Sequence, residues 1–388
     1  MVKDEQEVNT SLKLLVKSSF VVLIFVILSK LFTYLYKIII ARDFGPSEYG
    51  LFTLALIIST AFISFASLGL SEGLVRYISL YKNKDMKKVK YLWNLSFYIN
   101  VISSLAAGAV LFAFAEIISV NFFHDANLTI YLKVFSITIP FALLGGIYLA
   151  ILRSFERISL YSFINNVFQN GLRVVILIIL VLLGFGRESI YSSYLLGALG
   201  FFLFVYIFVK RDLSKILKSG KLKRGRREIR KSFLSYSWPI VFLVIIGGVF
   251  YWVDSLVIGY FMSSSDLGFY GVAFTIISLF GIAPELFMQL FLPMVIREYS
   301  NKKLDVVKEV SKQVTKWIFV LNLPLFVMIF AFPGAIINVL FGEAFLAGES
   351  SLRILSFGGI VSSIFLALST NLLSMKGRSK LILINVVS

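Results

Sequence analysis

Ten stretches of this sequence are apolar for roughly 20 residues or more, the length that crosses a bilayer as a helix. They fall at roughly 19–40, 50–70, 91–115, 131–152, 160–184, 189–209, 233–260, 268–296, 313–333 and 351–373, and an eleventh begins near Leu381. Inside lipid every backbone polar group must be satisfied within the protein, which leaves only helices and closed barrels. Barrel strands alternate apolar and polar residues over ~10-residue segments. These runs are continuous, so the chain is expected to be an all-α integral membrane protein. Composition agrees: 58% of residues are apolar and 15% charged, where a soluble protein carries ~25% charged residues. Cysteine is absent, which removes disulfides and thiolate chemistry, and the single histidine, His124, cannot build a histidine metal cluster. No metal site is expected. The first apolar run is long and lacks a small-residue cleavage pattern, so no cleavable signal peptide is expected.

The net charge of +17 could suggest nucleic acid, but its distribution argues for membrane lipids instead. The basic residues sit in alternate connections between apolar runs. One set holds Lys3, Lys13 and Lys17; Arg76 to Lys90; Arg153 and Arg157; Arg297 to Lys312; and Lys376, Arg378 and Lys380. Its richest member, 210–231, has eleven Lys or Arg. The other set carries only Arg42 and Arg187. Positive residues are retained on the cytoplasmic side, so the N-terminus and every basic connection are expected to be cytoplasmic, in a multi-pass protein of the cell membrane. Segment 71–90 places Leu74, Tyr77, Ile78 and Tyr81 on one helical face and is expected to form a short amphipathic helix in the interface.

The sequence also repeats itself. Glu48-Tyr49-Gly50 pairs with Asp266-Leu267-Gly268, Phe112-Ala113-Phe114 with Phe330-Ala331-Phe332, and Phe123 with Phe341, all 218 residues apart (266 − 48, 330 − 112, 341 − 123). Beyond a two-residue insertion the spacing is 220, as in Leu132/Leu352, Ser136/Ser356 and Asn165/Asn385. Internal symmetry in a membrane chain predicts two like lobes around a central site. The expected division is a first lobe at 1–209 with six spans, a basic cytoplasmic linker at 210–231 that hugs the membrane, and a second lobe at 232–388. Six spans per copy is an even number, so the copies should run in the same direction. The first copy ends near Lys210, which puts the end of a full second copy near residue 430 (210 + 220). The second lobe is therefore expected to be truncated, with about ten complete spans and a partial eleventh.

Two segments carry a resemblance. Ala41-Arg42-Asp43-Phe44-Gly45-Pro46-Ser47-Glu48-Tyr49-Gly50 follows the first span, and Ser67-Leu68-Gly69-Leu70-Ser71-Glu72-Gly73-Leu74-Val75-Arg76-Tyr77 ends the second. With the 6 + 6 organisation and the basic inter-lobe segment, they resemble the polysaccharide transporter (O-antigen flippase-like) branch of the multidrug/oligosaccharidyl-lipid/polysaccharide (MOP) superfamily. The resemblance implies a MATE-like fold of two pseudo-symmetric lobes. Physically, Gly45 and Pro46 read as a helix break with a tight turn. Gly69 and Gly73, four apart, read as a place for close helix contact. Plain turn and packing chemistry accounts for these motifs without any substrate.

An ionisable residue near the bilayer centre costs ~2.5–3.5 kcal/mol on insertion scales, so each one is a site candidate. In the first span Lys30, Tyr34 and Lys37 recur at i, i+4 and i+7; Lys37 could equally snorkel to the outer surface. In the fifth span Asn165, Gln169 and Arg173 are four apart, flanked by Asn170; the alternative for Arg173 is a bond to a neighbouring helix carbonyl. Asp254 in the seventh span, and Glu285 and Gln289 in the eighth, are candidates for a coupling-ion site or for counter-charges to Lys30, Lys37 or Arg173. Three buried cations against two acids suit a diphosphate, whose oxygens accept charge-assisted hydrogen bonds from Lys and Arg.

The expected activity is therefore translocation of a lipid-linked oligosaccharide, or a related polysaccharide or O-antigen-like glycan precursor, by alternating access. Two other readings stay open: an ion-coupled MATE-like exporter of small amphipathic compounds, and an inactive or scaffolding remnant with a truncated second lobe. Catalysis is not expected. The outer connection with Asp43 and Glu48 is too short for a catalytic loop, His124-Asp125 has no partner nucleophile, and no Gly-rich phosphate loop is present. No cofactor is expected beyond a coupling ion, H+ or Na+. The expected partners are lipid-linked oligosaccharide and membrane lipids, with no nucleic acid, and the chain is expected to act as a monomer.

Overall fold

A computed structural model describes residues 2–375 except 223, 288–290, 292–294, 296, 297 and 299–302, with side chains from Val21 to Ile364 apart from Leu243 and Phe250. Gln289 and the partial eleventh span lie outside the described residues. The described elements are helical, with no strand among them. Nine of the described helices are long and apolar enough to cross a membrane. The first of these, Val21–Ala66, has 46 residues. At ~1.5 Å per residue it is about twice the ~30 Å bilayer core, so it holds two of the ten expected spans.

The division within that helix, α1 (Val2–Ala66), lies where the sequence placed it. Gly45 adopts φ 79° and ψ −176°, outside helical geometry. A Cβ there would meet nothing, so it is the positive φ that calls for glycine. Pro46 opens the second arm, where its missing N–H costs no hydrogen bond. Next come α2 (Leu70–Tyr81) and α3 (Met86–Glu116). Asp85 caps α3, its carboxylate accepting from the Lys87 amide at 3.0 Å. The amphipathic face read from sequence is the buried face of α2, with Leu74, Tyr77 and Ile78 enclosed. A wide π-type turn, Ile117–Phe122, ends this span.

There follow α4 (Leu128–Ser154), α5 (Ile158–Ser162), a second π-type turn (Phe163–Phe168), α6 (Gln169–Leu182), α7 (Glu188–Lys218) and α8 (Arg226–Phe261). After α9 (Ser264–Ile277) come α10 (Leu304–Ala331), α11 (Pro333–Phe341) and α12 (Glu349–Met375). Repeat partners fall at like points in like elements. Glu48 and Asp266 open a span after a helix break, Ala113 and Ala331 lie near the end of a long helix, and Leu132 and Leu352 lie in the first turns of α4 and α12.

The chain divides into two compact units: Ile24–Leu267, and Gly268–Ser388 with Met1–Leu23. In the first, α4 is the central helix, with 61% of its apolar window buried, packed against α2, α3 and α7. Leu74, Trp93, Ile151, Val205, Ile216 and Phe233 belong to one core cluster at this end of the helices. Helix α8 packs with this unit at both ends. Near its start, Tyr77 Oη and Ser232 Oγ are 2.6 Å apart, and the Arg76 guanidinium lies 4.1 Å over the Tyr236 ring. Any Cβ at Gly69 or Gly73 would overlap Ser237, so this pair does support close helix contact. At the far end the rings of His124 and Tyr260 lie 6.0 Å apart, and just beyond it the Ser264 hydroxyl, first in α9, donates to Asp125 Oδ2 at 2.6 Å.

In the second unit α10 and α12 pack together. Buried Asn322 ties them to the turn after α9, donating to the Phe280 carbonyl at 3.0 Å and meeting Ser363 Oγ at 2.9 Å.

Candidate functional site

Four segments of the first unit enclose a cavity of about 70 Å³. The first arm of α1 supplies Phe32, Thr33, Tyr36 and Lys37, and the second arm Phe52 and Leu56. Helix α6 supplies Asn170 and Arg173, and α7 supplies Tyr194. The Gly45 break makes this possible, because a straight α1 could not present both arms to one space.

The walls are fixed by packing and hydrogen bonds. Tyr36 Oη lies 3.2 Å from the Ile190 carbonyl and 2.9 Å from Ser193 Oγ, joining α1 to α7. The Tyr194 ring stacks on Phe135, with centroids 4.2 Å apart and planes at 16°. Phe52 meets both rings edge-on, at 6.2 Å and 6.5 Å. The guanidinium of Arg173 sits over Tyr194, 4.3 Å from the centroid. Its stem passes α7 at Gly197, where a Cβ would stand 2.5 Å from Arg173 Cγ. A desolvated cation–π contact contributes ~2 kcal/mol, which offsets much of the ~2.5–3.5 kcal/mol cost of a charge at this depth. Arg173 Nε is buried and has no hydrogen-bond partner.

Asn170 reaches across to α1, donating to Ser29 Oγ at 2.8 Å, and back to the Asn166 carbonyl at 3.1 Å. The hydrogens of the Thr33 hydroxyl and the Asn170 carboxamide are spent within the protein, and the Tyr36 hydroxyl is tied to α7, so the charged donors at the cavity are the Lys37 ammonium and the Arg173 guanidinium. No Asp or Glu is among the lining residues. Such a set can accept the oxygens of an anion and offers nothing to a cation beyond the aromatic faces.

Of the residues singled out by sequence, Lys37 and Arg173 line this cavity together. Lys30 is half-buried on the first arm of α1 and is not among the lining residues. Tyr34, Asn165 and Gln169 are half-buried and are not among the lining residues. Asn165 is held beside Asn166, Nδ2 to Oδ1 3.3 Å. Asp254 is exposed on α8, and half-buried Glu285 belongs to the second unit. The sequence reading passed over Thr33, Tyr36 and Tyr194. The tyrosines could have been found by asking which buried hydroxyls need a partner.

The π-type turn explains why the polar stripe shifts. Residues 165, 169 and 173 share a face only if every turn has 3.6 residues. The wider turn over Phe163–Phe168 rotates the register, and it is Asn170 that reaches α1 and joins Arg173 at the cavity.

Residues 38–348 match a family described as polysaccharide biosynthesis protein. An uncharacterized membrane protein of Methanocaldococcus jannaschii is 23% identical over 360 residues, 89% of this chain and 70% of that protein. Among solved structures, the lipid II flippase MurJ in an inward closed conformation aligns with TM-score 0.71 at 16% identity, covering 94% of this chain and 77% of that one. An inward-facing multidrug resistance MATE family transporter of the MOP superfamily aligns with TM-score 0.65 at 16% identity, covering 95% and 87%. Likeness at these identities is likeness of fold. With the family match running over most of its length, the chain belongs to the polysaccharide biosynthesis protein family.

Proposed function

We propose that this protein moves a lipid-linked glycan precursor, carried on a phosphate or diphosphate, from the inner to the outer leaflet of the cell membrane by alternating access. The observation that carries the reading is the polarity of the cavity: Lys37 and Arg173 face it, no carboxylate is among its lining residues, and Arg173 Nε is an unused donor in an apolar wall. A cavity of about 70 Å³ suits an anionic group, not a sugar chain, so it would serve as the subsite for the charged link. The family description and the fold shared with a lipid II flippase point the same way. In this reading the N-terminus and the basic connections are cytoplasmic, and Asp254 or Glu285 answers to a coupling ion, H+ or Na+.

The test is glycan export, with leaflet accessibility of the lipid-linked oligosaccharide, in cells carrying Arg173→Gln, Arg173→Lys, Lys37→Gln or Lys30→Gln. A hydrogen bond to a charged group contributes ~1.5–3 kcal/mol, so Arg173→Gln and Lys37→Gln should each lower export by about tenfold or more, and Lys30→Gln, at a residue that does not line the cavity, by less. Arg173→Lys should keep part of the activity, since a point charge replaces a planar fork. The amount of monodisperse protein extracted in detergent should stay near the wild-type level. Undiminished export in both Arg173→Gln and Lys37→Gln would sink the proposal and favour export of small amphipathic compounds.

A further inference from the structure

A second pocket lies in the first unit, well apart in sequence from the Arg173 cavity. Its volume is about 300 Å³, and its lining is Lys87, Lys90, Tyr91, Asn94, Lys221, Leu222 and Arg226. Four of these seven are cations and none is an acid. Among the described residues, no carboxylate pairs with Lys87, Lys221 or Arg226. Cations gathered on one wall repel each other, and the usual remedy is an interleaved acid. Here that remedy is missing.

The pocket is built, not merely a stretch of basic chain. Lys90 Nζ donates to the carbonyls of Leu217 and Ser219, both at 2.6 Å. The Ser219 hydroxyl lies 3.0 Å from the Met86 carbonyl and 2.8 Å from that of Ile216. These bonds fasten the end of α7 to the start of α3. Gly220 gives the Lys87 stem room, since a Cβ there would lie 3.3 Å from Lys87 Cε. Arg226 Nε donates to the Leu222 carbonyl at 2.5 Å, which fixes the guanidinium at the rim.

Two helices also begin here. Lys87 is in the first turn of α3, and Arg226 is the first residue of α8. The residue before α8, Gly225, is left-handed and brings no side-chain acceptor to the first amides. The positive end of that helix therefore adds to the field of the side chains. Depth follows from the sequence. The apolar run 91–115 starts directly after Lys90, and 233–260 starts seven residues after Arg226 (233 − 226). The pocket is thus level with lipid headgroups on the face that carries the basic connections.

We propose that this pocket binds a phosphate-bearing anion, either the headgroup of an anionic phospholipid or a free phosphate, separately from the transported substrate. Ammonium, guanidinium, amide and phenol donors around one space match the tetrahedral oxygens of phosphate. Such a ligand would supply the missing negative charge and hold the connection between α7 and α8 against α3.

The experiment follows the thermal unfolding midpoint of the full chain in phosphatidylcholine nanodiscs at constant ionic strength. One arm replaces phosphatidylcholine stepwise with phosphatidylglycerol, and the other adds inorganic phosphate. The variants are Lys87→Gln/Lys221→Gln and, as a charge-matched control on α10, Lys308→Gln/Lys312→Gln. A saturable rise is expected in the wild type and the control. In the pocket variant the half-saturating concentration should be about tenfold or more higher. A rise with phosphatidylglycerol alone identifies the headgroup, and a rise with inorganic phosphate identifies the free anion. Lys221→Gln alone serves if the double variant is poorly folded. No saturable rise in the wild type, or the same weakening in pocket and control variants, overturns the proposal.

Discussion

The Arg173 guanidinium is positioned by an aromatic face and a glycine, with no ion pair among the described residues. Gly197→Ala should therefore act on Arg173 directly, because the new Cβ competes with the arginine stem. Overpacking of this kind costs ~1–3 kcal/mol. The midpoint of thermal unfolding in detergent should fall, and Arg173→Ala in the same chain should remove much of that fall. Equal losses in both backgrounds would show that the clash lies elsewhere. Asp212 makes a different case. It sits in the basic stretch that sequence reads as a solvated linker, yet its side chain is 2% exposed, with Arg157 at 3.1 Å and Lys215 at 3.8 Å. Arg157 is partly exposed, so Arg157→Ala should destabilise by ~1–3 kcal/mol, below the ~3–5 kcal/mol of a fully buried pair. Asp212→Asn/Arg157→Ala should recover part of it, as read by the same melting midpoints. A count of charges along a segment says nothing of which one turns inward.

Like breaks in the two copies are made by unlike chemistry. The first uses Gly45 and Pro46 inside α1. The second uses a capping box before α9: Ser263 N meets Asp266 Oδ2 at 3.1 Å, and Asp266 N meets Ser263 Oγ at 3.2 Å. The glycines also differ in what they do. Gly45 is needed for its φ of +79° in open space, whereas Gly69 combines φ +63° with contact against the Ser237 carbonyl. Gly45→Ala should thus cost about 1 kcal/mol, the conformational part alone, and Gly69→Ala should cost ~1–3 kcal/mol more. Equal melting midpoints for the two variants would contradict this ranking. Hydropathy found the long helices, because their length is set by the bilayer. It could not find the π-type turn at Phe163–Phe168, after which Asn170 joins Arg173 at the cavity.

Across the whole chain, the alternation of basic connections predicts sidedness, and the absence of cysteine makes it easy to test. Exposed Arg227 and Ala126 can each be replaced by cysteine and treated with an impermeant thiol reagent on intact cells. Ala126→Cys should label and Arg227→Cys should label only after lysis; the reverse pattern would invert the topology. Fold class, span positions and the helix break were legible in the sequence because each depends on residues close together along it. The cavity was legible only in part. Lys37 and Arg173 announced themselves as charges in apolar runs, but Thr33, Tyr36 and Tyr194 join them through a juxtaposition of α1, α6 and α7 that no local pattern encodes.

The packing of α8 on α2 has a consequence for taking the protein apart. The repeat suggests dissecting the chain in the basic segment, between the two copies. Such a cut would strip Phe233 from Tyr77 and bare the surface around Gly69 and Gly73, leaving each fragment with a sticky wound. A cut after Met262, between α8 and α9, keeps that surface covered. Co-expressed halves should reassemble from the second division more readily than from the first. The joint between the repeats and the joint best suited to cutting are different places.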